Sequence, residues 1–134
     1  MKPLLIAGCI AASLAGACAK NIDDHGSDHV DFSNPKRVVS AIFYAAQKGV
    51  SLHLAGLCDP LGEANVHAKR ICSQTLEGAD WPAFVKQFAK GKLIGEARIA
   101  EGRALVNFVF GESGTDPETM ELVQRDGRWY LLSF

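Results

Sequence analysis

The chain has 134 residues, 48% of them hydrophobic and 22% charged, with 14 basic side chains against 15 acidic ones and a formal net charge of -1. That is enough chain for one core and too little for two, and the hydrophobic share is too high for a disordered protein. Without a basic excess the composition excludes the charge footprint of a nucleic-acid binder.

At the start, Met1-Lys2 supplies a short positive region and the stretch from Leu4 to Leu14 carries Ser13 as its one polar side chain. The small residues Ala15-Gly16-Ala17-Cys18 follow, so residues 1–17 read as a signal peptide. A membrane-spanning helix would need roughly 20 apolar residues, and this run breaks at Lys20-Asn21. Two cleavage readings are open. Ala15-x-Ala17 suits an ordinary signal peptidase, which would leave a soluble periplasmic or secreted protein. Ala15-Gly16-Ala17-Cys18 resembles the lipobox of bacterial lipoproteins, although Ala15 stands where that pattern favours Leu. The resemblance implies lipidation of Cys18 and a cell-envelope protein facing the periplasm. Ala19 after Cys18 gives no aspartate retention signal, which prefers the outer membrane.

The cysteine count favours the lipidated reading. Cys9 leaves with the signal peptide, and lipidation of Cys18 leaves the even pair Cys58 and Cys72. In an exported protein that pair is expected to form a disulfide. It would close a loop of about 15 residues and contribute roughly 3 kcal/mol in the chain-entropy model. The plainer alternative is two buried thiols. The spacing matches no zinc pattern, and no metal or cofactor is expected.

Residues 18–33 hold Asp23, Asp24, Asp28 and Asp31 among few apolar groups and read as a lipidated N-terminus with a tether. His25 and His29 are four apart, but Gly26 between them argues against the helix that a metal pair would need.

A single domain is expected over 34–134. Asn34-Pro35 is a helix start, Val39, Ile42, Phe43 and Ala46 repeat at helical spacing, and Gly49 ends the run. A second helix is expected to begin at Asp59-Pro60 and to run, mostly polar, to about Ser73. Asp80 opens a third, with Trp81, Phe84, Val85 and Phe88 on one face.

From residue 92 the period becomes two. A turn at Glu101-Gly102 would pair Ile99 with Ala104, Ala97 with Val106, Gly95 with Phe108 and Leu93 with Phe110. That places an apolar set on one face and Glu96, Arg98, Arg103 and Asn107 on the other. A turn at Asp126-Gly127 would pair Gln124 with Trp129, Leu122 with Leu131 and Met120 with Ser133. The outer face would then hold Ile94, Leu105, Val109, Val123, Tyr130 and Leu132, too apolar to stand uncovered. Helices followed by an antiparallel meander describe an α+β fold, with the N-terminal helices packed on a four-stranded sheet.

The opening from Asn34-Pro35 through Phe43-Tyr44 to Gly49, and the ending from Glu121 through Asp126-Gly127-Arg128-Trp129-Tyr130, resemble the superfamily named after nuclear transport factor two, also called cystatin-like. The resemblance spans about residues 34 to 134. It implies a curved, cone-like sheet around a long helix, often with a pocket between them. Small exported lipoproteins of this kind look similar. The superfamily holds isomerases, cyclases and dehydratases as well as binding modules, so it does not choose a function.

On the inner face Phe108, Leu122, Gln124, Trp129 and Ser133 are the pocket candidates. None is a general base, so no catalytic residue is assigned there. The leading expectation is a membrane-anchored domain that binds an envelope protein partner or a small apolar ligand without chemistry. The alternative is an isomerase-like or hydratase-like enzyme taking its base from Tyr44, His53, Glu63 or His67. No Gly-rich phosphate loop, nucleophile elbow or metalloprotease spacing occurs.

Overall fold

A computed structural model describes residues 29–134. Cys9, Cys18 and His25, with the expected signal peptide, lipidation site and most of the tether, lie outside the described residues. Among the described residues the elements are helix α1 (Pro35–Lys48), a 3-10 turn (Leu54–Gly56), helices α2 (Val66–Cys72) and α3 (Trp81–Phe88), and strands β1 (Lys92–Ala100), β2 (Arg103–Phe110), β3 (Asp116–Arg125) and β4 (Arg128–Ser133). The strands form one antiparallel sheet in the order β1-β2-β3-β4, so the chain is α+β.

Local chemistry sets the helix ends. The Lys36 N–H donates to Asn34 Oδ1 at 3.0 Å, Pro35 takes the first helical position, and Gly49 stops α1 at φ 71° with its N–H on the Ala45 carbonyl. The second helix starts later than Asp59-Pro60 would suggest. Asp59 accepts the Leu61 and Glu63 N–H groups at 3.1 and 3.2 Å, a local turn that competes with helix, and Gly62 follows at φ 81°. Asn65 is the actual cap, its Oδ1 accepting the Ala68 N–H at 2.9 Å.

Both hairpin turns fall where expected. Glu101-Gly102 and Asp126-Gly127 have positive φ at both central residues, 52° and 75° in the first and 54° and 79° in the second. Ile99 pairs with Ala104, Gln124 with Trp129 and Leu122 with Leu131.

Two bulges change the remaining register. Leu93 pairs with Phe108 instead of Phe110, because Gly95, Glu96 and Ala97 together stand opposite Val106. Gly95 makes this possible at φ 68°, and the two extra residues keep Leu93 and Ile94 on their expected faces, while Glu96, expected on the outer face, turns instead to Lys36 of α1 at 3.4 Å. In β4, Leu132 is the extra residue, so Ser133 meets Glu121 and not Met120. The Ser133 hydroxyl donates to Glu121 Oε1 at 3.3 Å, away from the inner face.

The core joins Val38, Val39, Ile42 and Phe43 of α1 to Val106 and Phe108 of β2, Met120 and Leu122 of β3, and Trp129 and Leu131 of β4. Phe43 lies 5.8 Å from Phe108 and 6.4 Å from Phe88, ring centre to ring centre. Gly91 is buried against the Phe43 ring, where a Cβ would overlap it.

Val30 and Phe32, counted with the tether on composition, pack on the core. The Phe32 carbonyl accepts the Trp129 N–H at 2.8 Å, and its ring lies against Tyr130 at 5.4 Å with the Arg128 guanidinium 4.3 Å above it. On the outer face Val123 and Leu132 are buried, while Ile94 is 44% exposed.

The register correction carries a stability test. Phe108 is fully buried, whereas Ile99, expected on the same apolar face, is 58% exposed. Phe108→Ala should cost about 3 to 5 kcal/mol and Ile99→Ala no more than about 0.5 kcal/mol in urea unfolding.

Candidate functional site

The second and third helices are short and each turns a mixed stripe towards the other. On α2 and just beyond it, His67, Arg70, Ile71 and Gln74 recur at i, i+3, i+4 and i+7. On α3 Asp80, Ala83, Phe84, Gln87 and Phe88 recur in the same rhythm. Between these stripes lies a groove of about 550 Å³, closed below by Phe110 and Phe134.

Its floor is aromatic. Phe88 sits 5.1 Å from Phe84, 5.3 Å from Phe110 and 5.8 Å from Phe134, and Phe110 meets Phe134 edge-on at 5.5 Å. Tilted and edge-on pairs at these distances are favoured by the ring quadrupole, so the floor is a packed surface and not a loose gap. The His67 ring meets Phe134 edge-on at 6.4 Å. Gln74 is 8% exposed, with its Nε2 donating to the Arg70 carbonyl at 3.2 Å.

The residues proposed on sequence do not gather there. Phe108, Leu122 and Trp129 are filled core, Gln124 is exposed, and Ser133 is bonded to Glu121. Tyr44 lies on α1, and His53 precedes the 3-10 turn. Glu63 lies outside any helix and reaches Arg125 at 3.4 Å. Of these nine residues His67 alone lines the groove. Among the described residues no three His, Cys, Asp or Glu side chains stand together as a metal would require.

The wall made by α2 is held in place by a disulfide at its end and an ion pair at its root. A Cys58–Cys72 disulfide joins the start of the preceding loop to the end of the helix. Beside Cys58, Asp59 is buried and receives Arg125 through both oxygens, from Nε to Oδ1 at 3.0 Å and from Nη2 to Oδ2 at 3.0 Å. This fork supplies the desolvated carboxylate with the hydrogen bonds it loses from water. Arg125, Val123 and Tyr130 all belong to the second hairpin, so the loop is tied to the sheet.

Hydrogen bonding from Arg125, reinforced by the Leu61 and Glu63 N–H groups and by the guanidinium charge, holds the Asp59 carboxyl below its ordinary value against the opposing effect of burial. A depressed folded pKa means that the ionised pair contributes fully above the unfolded carboxylate value, about pH 3.9, and is lost as pH falls through the lower folded value. Asp59→Asn should therefore be destabilised at neutral pH, with the gap to the parent closing at more acid pH in unfolding titrations. Arg125→Ala, which leaves the buried Asp59 carboxylate without its fork, should lower the urea midpoint at neutral pH. Reduction of the disulfide should cost roughly 3 kcal/mol, read as a lower urea midpoint in the presence of reductant.

No family model matches the sequence, and neither a curated protein nor a solved structure matches it.

Proposed function

We propose that this chain is an envelope lipoprotein, anchored through Cys18 and facing the periplasm with the outer membrane preferred. Its domain binds a small, largely apolar ligand in the α2–α3 groove without transforming it. The observation that carries the binding reading is the groove, whose volume of about 550 Å³ falls within the usual range of ligand sites and whose phenylalanine floor is rimmed by a few polar groups. Non-catalytic binding is favoured by the chemistry of that rim. Arg70, Gln74 and Gln87 offer hydrogen bonds and no base, and the Asp80 carboxylate is exposed, without the burial that marks a catalytic acid or base. Among the described residues His67 has a ring contact with Phe134 but no carboxylate hydrogen-bonded to its imidazole, the arrangement that would orient it as a base.

The export reading is supported by the leader pattern and by a disulfide of the sort that persists in oxidising compartments. A cone-like curvature of the sheet around α1, as the superfamily resemblance implies, belongs to the same proposal. No helix among the described residues is long and apolar enough to cross a membrane, so attachment in this scheme falls to the lipid.

Native mass spectrometry of the full chain purified from its own envelope tests both halves. The parent should carry added lipid mass at Cys18 and a retained small molecule. Ala83→Trp, which fills the groove from an exposed position, should lose the small molecule and keep the fold. Cys18→Ser should leave the membrane fraction. Retention of the molecule by Ala83→Trp, or its absence from the parent, overturns the binding site. A Cys18→Ser protein that stays with the membrane overturns the anchor.

A further inference from the structure

We infer that the ligand of the α2–α3 groove is a zwitterionic aromatic molecule of free amino acid to dipeptide size. Its ring lies on the phenylalanine floor, its carboxylate on Arg70, and its ammonium group against Asp80 and Gln74 Oε1. The inference rests on the reading of this groove as a ligand site and adds the chemical class of the ligand.

Three polar groups in the groove wall carry the argument. Gln74 is 8% exposed, and its Nε2 is spent on the Arg70 carbonyl, which fixes the orientation of the amide. Its Oε1 has no donor among the described residues, and a buried amide oxygen left so calls for one. Arg70 makes no ion pair among the described residues, which is true also of Lys48, Lys69, Lys90, Lys92, Arg98 and Arg128, but of these Arg70 is the one that lines the groove. Asp80 occupies the cap position of α3 without capping it, so its carboxylate is not used by the helix.

The groove thus presents one guanidinium, one carboxylate and one buried acceptor above an aromatic floor. A simple aromatic acid would satisfy Arg70 but place its charge in the field of Asp80, and a simple amine would do the reverse. A molecule bearing both charges complements both walls. Its ammonium group also supplies the donor that Gln74 Oε1 lacks, and it gains from the ring faces below. His67 is the remaining titratable group on the groove, and it lies against Phe134.

The test is titration of the full chain with L-tryptophan and L-phenylalanyl-L-phenylalanine, followed through backbone amide resonances. Tryptamine lacks the carboxylate, indole-3-propionate lacks the ammonium group, and indole lacks both. The zwitterions should bind best and shift the amides of residues 67–74 and 80–88, with each truncated probe about tenfold weaker or worse. Arg70→Gln should weaken L-tryptophan about tenfold without weakening tryptamine, and Asp80→Asn should weaken L-tryptophan without weakening indole-3-propionate. Both positions are exposed, so the fold should survive the substitutions. If indole or a singly charged probe binds as well as L-tryptophan, the zwitterion assignment falls while the groove stands. If no probe, indole included, shifts the groove amides at millimolar concentration, this inference fails. Loss of the natural small molecule in Ala83→Trp would still uphold the groove itself.

Discussion

The structure depends on closing the outer edge of β4. A four-stranded sheet leaves two rows of backbone donors and acceptors without strand partners, and each row must be satisfied or kept wet. At β4 the chain returns on itself to do this. The Leu131 N–H donates to the Leu57 carbonyl at 2.7 Å, the Asp59 N–H to the Leu131 carbonyl at 3.0 Å and the Asn65 N–H to the Leu132 carbonyl at 2.8 Å. The Trp129 N–H meets the Phe32 carbonyl further along the same edge. Residues with no regular secondary structure thereby act as a fifth, broken strand.

That closure places the groove. Asn65 both bonds to β4 and caps α2, so the position of the helix follows directly from the sheet edge. The disulfide then fixes the far end of α2 to Cys58, which itself lies beside Leu131. Arg125 reaches back from the hairpin to Asp59 and completes the attachment. The α2 wall is held at its start by a backbone bond, at its end by a covalent one, and at its root by a buried ion pair. Such a wall holds the backbone at Arg70 and Gln74 in place beside the aromatic floor, which would lower the entropy that a bound molecule must offset.

Sequence periodicity made much of this fold legible. The alternation from residue 92 and the two turn dipeptides placed all four strands, and the Asn-Pro start and Gly49 placed α1. Cysteine arithmetic paired Cys58 with Cys72. What escaped were features decided by tertiary contact. Strict alternation makes Gly95 one more strand position, although a glycine within a strand marks a place where left-handed backbone is available for a bulge. Asp59-Pro60 has the form of a helix start, but the carboxylate found a better partner in Arg125, 66 residues away. The candidate site escaped for a related reason. The stripes at 67, 70, 71, 74 and at 80, 83, 84, 87, 88 are periodic in the sequence, yet only the tertiary structure reveals that both line one groove above Phe110 and Phe134. The inner sheet face, by contrast, is filled by the ring of Phe43 and the side chains around it.

The opposite edge of the sheet is treated differently, and the bulge at Gly95 explains how it remains safe. Nothing among the described residues pairs the free side of β1 as the strap pairs β4. A second copy of the chain approaching that edge would meet a regular donor-acceptor rhythm only from Arg98 to Ala100 or from Lys92 to Ile94. Between them three residues occupy the place of one, Gly95 turns the backbone, and Glu96 is drawn towards Lys36 at 3.4 Å. Runs of three residues are too short to nucleate a growing cross-strand assembly, and Lys92 and Arg98 add charge to each. The irregularity that upset the simple register is therefore also a barrier to fibre formation, and it protects the protein wherever many copies are crowded together.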